Sequence, residues 1–290
     1  MLPVARHAIN RLLRRTRLID RIAELEASEQ RLLAERSATI AAPRCRPEPA
    51  SGPPIHLVTL PKSGSVYLWN VLSKGLGYEC DSVSTGCFPR DVADWRKVRA
   101  TAASGVIVQS HLDASRANLQ ILCHYLPRVQ VHLRDPRQAT LSMLHHLAGL
   151  WKKHHCRDVM LPVQPLPPQG FFEQPLTVQV DWMVEHYLPG CIQWIGEWLA
   201  VADGRVPGPK VHITTFEQML RDEDALLRGT LEFFGIAPDR FAKPAKDDAM
   251  MAHFRQGTAD EWRSVYTPEQ QARAAAKIPE EWKRRFGWRD

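Results

Sequence analysis

Apolar residues along the chain follow two patterns, short continuous runs and runs in which they recur every three to four positions. The short runs predict buried strands at 55–60, 106–109, 129–133 and 211–215. The helical spacing predicts helices at 65–74, 138–150, 178–202 and 217–234. Gly75 and Gly77 are expected to close the first helix. Strands that alternate with helices favour an α/β fold, with a central parallel sheet flanked by helices on both faces.

The first 54 residues differ from this pattern. Residues 5–38 predict an amphipathic helix with a basic first half, because four apolar residues fall at alternating steps of four and three positions around a gap at Glu29: Leu18, Ile22, Leu25 and Leu32. Three roles stay open for this helix, namely packing as a solvated helix, dimerising as a short coiled coil, or resting on an anionic membrane surface. Five prolines then predict a linker. The sequence thus divides into a helical arm (1–40), a linker (41–54) and a main domain (55–290).

A second proline-rich stretch, at 161–170, fits neither a helix nor a central strand. We predict a long surface loop there. A lid or substrate wall and a plain surface excursion are equally compatible with its composition.

Composition limits the class of protein. With 44% hydrophobic and 24% charged residues among 290, the chain is typical of a globular protein, and no apolar run is long enough to cross a membrane. The net charge of +6 suits an anionic ligand, and we expect no nucleic-acid partner. The six cysteines form no C-x-x-C pair, and the amino terminus lacks the apolar core of a secretory signal. These features favour a cytoplasmic location.

The sharpest motif is the loop Pro61-Lys62-Ser63-Gly64-Ser65, which lies between a predicted strand and a predicted helix. Free backbone N–H groups and the helix dipole make such a helix start a binding site for phosphate. The spacing of a Walker A motif is missing, however. Taken alone, the loop could equally be an ordinary strand-to-helix turn with an exposed lysine.

Two further segments supply cations. Arg134 ends a predicted strand, and Ser142 follows two turns into the next helix, so both side chains can converge on one anion. An ion pair between Arg134 and Asp135, or another acid, is the structural alternative. The segment of Arg255, Gln256 and Gly257 adds another guanidinium, and its glycine permits a ligand to approach the backbone closely.

The histidine clusters of the chain do not have the spacing of metal ligands. Adjacent histidines on a helix, such as His145 and His146, point about 100° apart. No acidic partner is spaced to complete a coordination shell around them. We therefore expect no metal site.

Together, and in this order, the three motifs resemble the nucleotide site of sulfotransferases that use 3′-phosphoadenosine 5′-phosphosulfate (PAPS), over roughly 55–288. The resemblance implies a P-loop nucleotide-kinase-like fold without a metal cofactor. It assigns binding of the 5′-phosphosulfate to Lys62, Ser63, Gly64, Ser65 and Val66. It assigns binding of the 3′-phosphate to Arg134, Ser142, Arg255, Gln256 and Gly257.

The same resemblance makes His111, in Gln109-Ser110-His111-Leu112, the general base, and Lys62 the group that stabilises the leaving phosphate. Without this resemblance, His111 would be interpreted as a capping residue or as a residue at the edge of the core. The family places Tyr67 and Phe216 next to the adenine. Gln109 and Gln256 stand where the family has lysines, and Arg137, Lys152 or Arg263 are candidates to replace the lost charge.

The implied reaction is transfer of a sulfonate from PAPS to an acceptor hydroxyl, with a glycan, glycolipid or lipid as the favoured acceptor. Proton acceptance by a histidine near neutral pH fits that chemistry. The basic arm favours a homodimer or a peripheral contact with the inner membrane surface. Two alternatives stay open, a degenerate sulfotransferase-like scaffold protein and a nucleotide kinase.

Overall fold

The computed structural model describes residues 52–102, 105–155, 160, 163–245 and 258–290. Its centre is a parallel sheet of five strands in the order β2-β5-β1-β6-β7. The strands of this sheet are β1 (Ile55–Thr59), β2 (Glu79–Asp81), β5 (Val106–Ser110), β6 (Arg128–Leu133) and β7 (Lys210–Thr215). A separate antiparallel hairpin consists of β3 (Ser84–Cys87) and β4 (Arg90–Ala93).

Helices connect the strands and complete the domain. Those before β7 are α1 (Ser65–Leu76), α2 (Trp95–Thr101), α3 (Arg116–Tyr125), α4 (Pro136–His154), α5 (Leu176–Trp182) and α6 (Leu188–Ala202). Those after β7 are α7 (Phe216–Arg221), α8 (Glu223–Phe234), α9 (Trp262–Val265), α10 (Pro268–Ala276) and α11 (Glu280–Phe286). A π-helical segment, Met183–Tyr187, joins α5 to α6, and Pro238–Arg240 forms a 3₁₀ turn.

Each face of the sheet has its own apolar core, because successive side chains of a strand point to opposite faces. Ile55 and Leu57 pack in one cluster with residues of α1 and α8. Val58 joins a larger cluster with residues of α3, α4 and α6. The predicted α/β class, with a parallel sheet covered on both faces, is confirmed.

The predicted strands are confirmed to within one residue at either end, but all four predicted helices differ from the structure. Helix α4, predicted over 138–150, spans Pro136–His154. Gly75 lies inside the first helix, and Gly77 ends it in the left-handed conformation (φ 67°). The helix predicted over 217–234 is two helices, because the Asp222 backbone leaves the helical region and its carboxylate caps α8 at Ala225 N–H. The predicted helix at 178–202 changes to π-helical geometry at Met183–Tyr187.

The proline-rich loop contacts the β3–β4 hairpin. Val163 forms a parallel bridge with Phe88, and the Gln164 N–H donates to the Phe88 carbonyl at 2.9 Å. Phe171, next to the loop, is buried in the larger core. In the part of the chain described, 163–170 therefore lies on the hairpin without forming a helix, as predicted.

The predicted arm and nearly all of the predicted linker lie outside the described residues. So do Arg255, Gln256 and Gly257. Among the residues described, no helix is both long enough and apolar enough to cross a bilayer.

Candidate functional site

The candidate site lies where β1 ends between β5 and β6. The chain passes from one side of β1 to the other there, and the carboxyl ends of parallel strands at such a switch point form a natural ligand crevice. Near this edge, one face of an otherwise apolar sheet becomes polar. Its side chains are Thr59, Gln109, Gln130, His132 and Thr214. Arg134 and His111 follow directly after two of these strands.

The loop between β1 and α1 has a backbone that few sequences can adopt. Lys62 and Gly64 both have positive φ, at 67° and 86°, and Gly64 is the N-cap of α1. A Cβ on Gly64 would lie 3.0 Å from side-chain atoms of Phe216 and Met219, so a larger residue would require these side chains to shift and would also strain the backbone. Because α1 has 12 residues, its first N–H groups and its dipole favour an anion at this loop.

Ser63 supplies a second sign of a ligand at the same loop. Its side chain is fully buried, and its hydroxyl finds no hydrogen-bond partner among the described residues. A buried hydroxyl left unpaired is costly, so such groups in native proteins usually serve a ligand or an ordered water. An anion or a water molecule bound at this loop would satisfy the Ser63 hydroxyl.

A buried hydrogen-bond relay, absent from our sequence-based expectations, supports the loop from below. The Gln130 amide donates to the Thr214 hydroxyl at 3.0 Å, which lies 2.9 Å from His132 Nδ1. His132 Nε2 lies 3.0 Å from the Ser63 carbonyl, so Nε2 carries the proton that it donates. Burial lowers the pKa of His132 to about 4, which keeps the ring neutral. The relay therefore fixes the direction of the Ser63 carbonyl.

Arg134 contacts the loop between β1 and α1 directly. Its guanidinium donates to the Lys62 carbonyl at 2.7 Å and to the Thr258 carbonyl at 2.6 Å. Its Cζ lies 4.0 Å from the centre of the Phe216 ring. The structure therefore brings together Arg134 and the loop, which are 72 residues apart in sequence.

Asp135 is engaged by a different arginine. Its carboxylate accepts from both the main chain and the guanidinium of Arg137, a fully buried residue that also pairs with Asp290 at 2.8 Å. The sequence alternative of an Arg134–Asp135 ion pair is replaced by this arrangement. Arg137 is consequently a structural cation, which removes it from the candidates to replace the missing lysines.

His111 follows β5, close to the end of β1. Its Nδ1 lies 2.6 Å from the Thr59 carbonyl, and its own carbonyl accepts from the Trp194 indole at 3.1 Å. Burial lowers the pKa of His111, opposed by the Thr59 carbonyl and by Asp91 and assisted by Lys62. The ring is therefore neutral near pH 7 and positioned from two sides. Trp194 and Trp198 are core residues, and both donate to the Leu112 carbonyl.

The two predicted adenine contacts lie mostly in the core. Tyr67 is 6% exposed and donates its hydroxyl to Glu223 at 2.6 Å. Phe216 is 2% exposed and packs between Arg134 and the loop. Phe216 therefore helps to hold the loop and Arg134 in place, whereas Tyr67 links α1 to Glu223 on α8.

The remaining candidates are spread over the domain. Ser65 and Val66 begin α1, and Ser142 is half-buried in the second turn of α4, about 9 Å along the axis from Pro136. Arg263 stacks on Trp262 and donates to the Arg289 carbonyl, while Lys152 lies exposed near the far end of α4. In the described ranges, no group of three or more His, Cys, Asp or Glu side chains is arranged to hold a metal ion.

No family model matches the chain, and no curated protein matches it in sequence. In structure it is similar to the mouse sulfotransferase SULT7A1 complexed with PAP, with a TM-score of 0.50 and 16% identity over 79% of this chain and 83% of that one. A retinol dehydratase, in complex with androsterone and the inactive cofactor PAP, matches at 15% identity over 60% of this chain and 52% of that one, with a TM-score of 0.38. At these identities the first likeness shows the fold, which is that of the sulfotransferases.

Proposed function

We propose that this chain transfers a sulfonate from PAPS to a hydroxyl group, leaving adenosine 3′,5′-bisphosphate (PAP). The observation that carries the proposal is the meeting of three groups at one sheet edge. These groups are a loop built to bind an anion, the guanidinium of Arg134 beside it, and the neutral imidazole of His111. The shared fold with a sulfotransferase described with bound PAP supports the same donor.

The residues present fit a bound phosphosulfate nucleotide. The N–H groups that begin α1 and the buried Ser63 hydroxyl would hold its 5′-phosphosulfate, with Lys62 near the charge that grows on the leaving phosphate. Arg134 would hold the 3′-phosphate, together with Ser142 and the residues at 255–257. PAPS supplies an activated sulfonate, which this arrangement needs no metal to bind.

His111 would act as the general base. Its Nδ1 faces the Thr59 carbonyl, so the neutral ring has its lone pair at Nε2. That atom accepts the proton of the acceptor hydroxyl as the new bond between oxygen and sulfur forms and the bond from sulfur to the phosphate oxygen breaks. Since the ring is neutral at pH 7, no prior deprotonation is needed.

For the acceptor we propose a glycan, glycolipid or lipid hydroxyl, and for the location the cytoplasmic side of a membrane. The support is the basic first half of the amino-terminal arm, which carries Arg6, Arg11, Arg14, Arg15 and Arg17 and suits an anionic surface. Co-sedimentation of the full chain with vesicles containing anionic lipid tests the location. Neutral vesicles and high salt serve as the controls. Equal recovery of the protein with the vesicles under all three conditions would contradict a charge-based contact.

Calorimetric titration with PAP, beside AMP and ATP, tests the nucleotide site. We expect PAP to bind far more tightly than AMP, and Arg134→Ala to weaken PAP about 100-fold, because two charge-assisted contacts are lost. Arg228→Ala, which removes an exposed arginine on α8, is the matched control. Equal affinity for PAP and AMP would exclude a 3′-phosphate site.

Transfer itself is measured by mass spectrometry with PAPS and a panel of glycan, glycolipid and lipid acceptors. His111→Ala should lower kcat at least about 100-fold while PAP binding stays unchanged. Tight binding of PAP without transfer to any acceptor would favour the scaffold alternative. Preference for ATP with Mg²⁺ would favour the kinase.

A further inference from the structure

A hydrogen-bonded group behind His111 involves two side chains, those of Gln109 and Thr59, that have no role in the proposal so far. The Gln109 amide donates to the Thr59 hydroxyl at 2.8 Å, and that hydroxyl lies 3.2 Å from His111 Nδ1 and 3.4 Å from the Ser110 carbonyl. The carbonyl of the same Thr59 lies 2.6 Å from Nδ1. Thr59 is fully buried, and Gln109 is half-buried beside it. These contacts surround one nitrogen of the ring.

The protons in this group can be assigned from what each atom is able to donate. The carbonyls of Thr59 and Ser110 only accept, so Nδ1 carries a hydrogen and the Thr59 hydroxyl donates to Ser110. Gln109 donates to the hydroxyl, which fills one lone pair and leaves the other facing Nδ1. Nδ1 therefore meets two acceptors and no donor. A ring with its proton on Nε2 would place its Nδ1 lone pair against the Thr59 carbonyl at 2.6 Å, and the Thr59 hydroxyl could donate to Nδ1 only by giving up the Ser110 carbonyl.

Resting on the proposed function, we propose that Gln109 and Thr59 are positioning residues that hold His111 in the tautomer with Nδ1 protonated and Nε2 free to accept a proton. The sequence has glutamine where the resembled family has a lysine, and the structure gives this glutamine a hydrogen-bonding task that needs no charge. Thr59 contributes both its carbonyl and its hydroxyl. Neither side chain has to touch the substrate to act in this way.

Two charged groups face the ring from neighbouring elements and bear on any pH profile. Asp91 on β4 accepts from the His111 main-chain N–H, and its charge favours the protonated ring. Lys62, in the loop after β1, opposes it. Variants at Thr59 and Gln109 leave both groups in place, so a change in tautomer is separable from a change in the surrounding charge.

The direct test is nitrogen NMR on the full chain labelled with ¹⁵N-histidine, with His111 assigned by difference from His111→Gln. In the unaltered protein we expect the signal of a protonated Nδ1 and an unprotonated Nε2. Thr59→Val and Gln109→Leu should each give a mixture of tautomers, whereas Thr59→Ser, which restores the hydroxyl, should not. Gln120→Leu, a change of an exposed glutamine on α3, is the control.

The kinetic test compares the same variants. Thr59→Val and Gln109→Leu should lower kcat about tenfold and leave KM for PAPS unchanged, and Thr59→Ser should restore kcat. Unaltered tautomer signals in both variants would overturn the positioning role, even if the enzyme transfers sulfonate. Failure of the unaltered protein to bind PAP or transfer sulfonate would instead overturn the proposed function, and the tautomer assignment would still be decided by NMR.

Discussion

At the scale of single residues, the site depends on particular backbone conformations and on which histidine nitrogen carries the proton, more than on how many charged side chains it contains. Lys62 and Gly64 adopt left-handed conformations, which turn the loop so that the start of α1 meets the ends of β1 and β6. His111 and His132 are both neutral through burial, yet a carbonyl partner places the proton on Nδ1 in one and on Nε2 in the other. Residue type alone does not show this difference.

Gly64 and Gly77 form a matched pair for testing the loop, since they flank the same helix with positive φ. A Cβ on Gly64 would meet Phe216 and Met219 at 3.0 Å, whereas one on Gly77 would meet nothing within 4 Å. Gly77→Ala should cost about 1–2 kcal/mol of unfolding free energy, from the left-handed backbone alone. Gly64→Ala should cost more and should also weaken PAP binding.

Urea unfolding and calorimetry of the two variants measure these effects. Intact PAP affinity in Gly64→Ala would show that the loop tolerates movement. Similar losses of stability in both variants would show that the contacts to Phe216 and Met219 add little to the backbone strain.

The loop motif was predictable from sequence, but the buried hydrogen-bond relay that supports it was not. Ser63 and Gly64 lie in a contiguous motif between a strand and a helix, which periodicity alone locates. His132 reaches Ser63 across 69 positions, and its role follows from the register of β6 beside β1 and β7. A polar residue within an apolar strand was the available signal, since buried parallel strands are normally apolar throughout.

At the scale of elements, the start of α4 depends on an ion network that includes Asp290. Arg137 is fully buried between Asp135, whose side chain is 6% exposed, and Asp290, whose side chain is 55% exposed. Asp135 also caps α4, and its main-chain N–H donates to Glu217 at 2.9 Å. Arg134 lies immediately before Asp135, so this network orients the residue assigned to the 3′-phosphate.

Removal of Asp135 and removal of Asp290 should have very different effects on the free energy of unfolding. Asp135→Ala leaves a buried guanidinium without its buried partner and should cost about 3–5 kcal/mol of unfolding free energy. Asp290→Ala removes a largely solvated partner and should cost less than about 1 kcal/mol. Urea unfolding of both variants measures the difference. Equal losses would mean that Asp290 shares the buried charge equally with Asp135.

Element boundaries were harder to predict than element types. The stretch 217–234 has one continuous helical pattern, yet Asp222 divides it because its carboxylate satisfies the N–H groups that start α8. Gly75 looked like a helix end but lies inside α1. Phe241 occupies the space where a Cβ on Gly75 would lie, with ring atoms 2.1–2.9 Å away, so this glycine serves close packing. The local spacing of apolar residues does not show this contact, because Phe241 is far from Gly75 in sequence.

At the scale of the whole molecule, four of the five sheet strands and the longest helices were predictable in order because each buries an apolar pattern. Strand β2, whose three residues are exposed, and the helices α2 and α3 were not predicted. The β3–β4 hairpin was not predicted. Its strands are short and mostly exposed, with Thr85 and Gly86 on one strand and Arg90 and Val92 on the other. Such a hairpin is held by its contacts with the loop at 163–164 and with Leu112, and these form only in the folded chain.

Buried histidines link the stability of the whole domain to pH. Burial lowers the pKa of His56 to about 3 and that of His132 to about 4, from 6.5 in the unfolded chain. Below pH 6.5 the unfolded state therefore binds more protons than the native state, so unfolding becomes easier as the pH falls toward 4. Each ring should contribute a loss of about 2 kcal/mol between pH 7 and pH 5.

The variant that isolates this effect is His56→Gln, since His56 lies outside the proposed site and contacts the Ser110 hydroxyl at 2.9 Å. We expect it to flatten the pH dependence of the urea midpoint between pH 7 and pH 5, because the protonation penalty of His56 is gone. His124→Gln, at an exposed position on α3, should leave the slope as it is. An unchanged slope in His56→Gln would mean that water reaches the ring and lets it protonate in the native state. In that case the acid sensitivity of the fold would have to come from the other described histidines whose pKa burial lowers, which are His111, His132 and His212. Because the first two lie at the proposed site, PAP should then protect the protein against acid more strongly than against urea at pH 7.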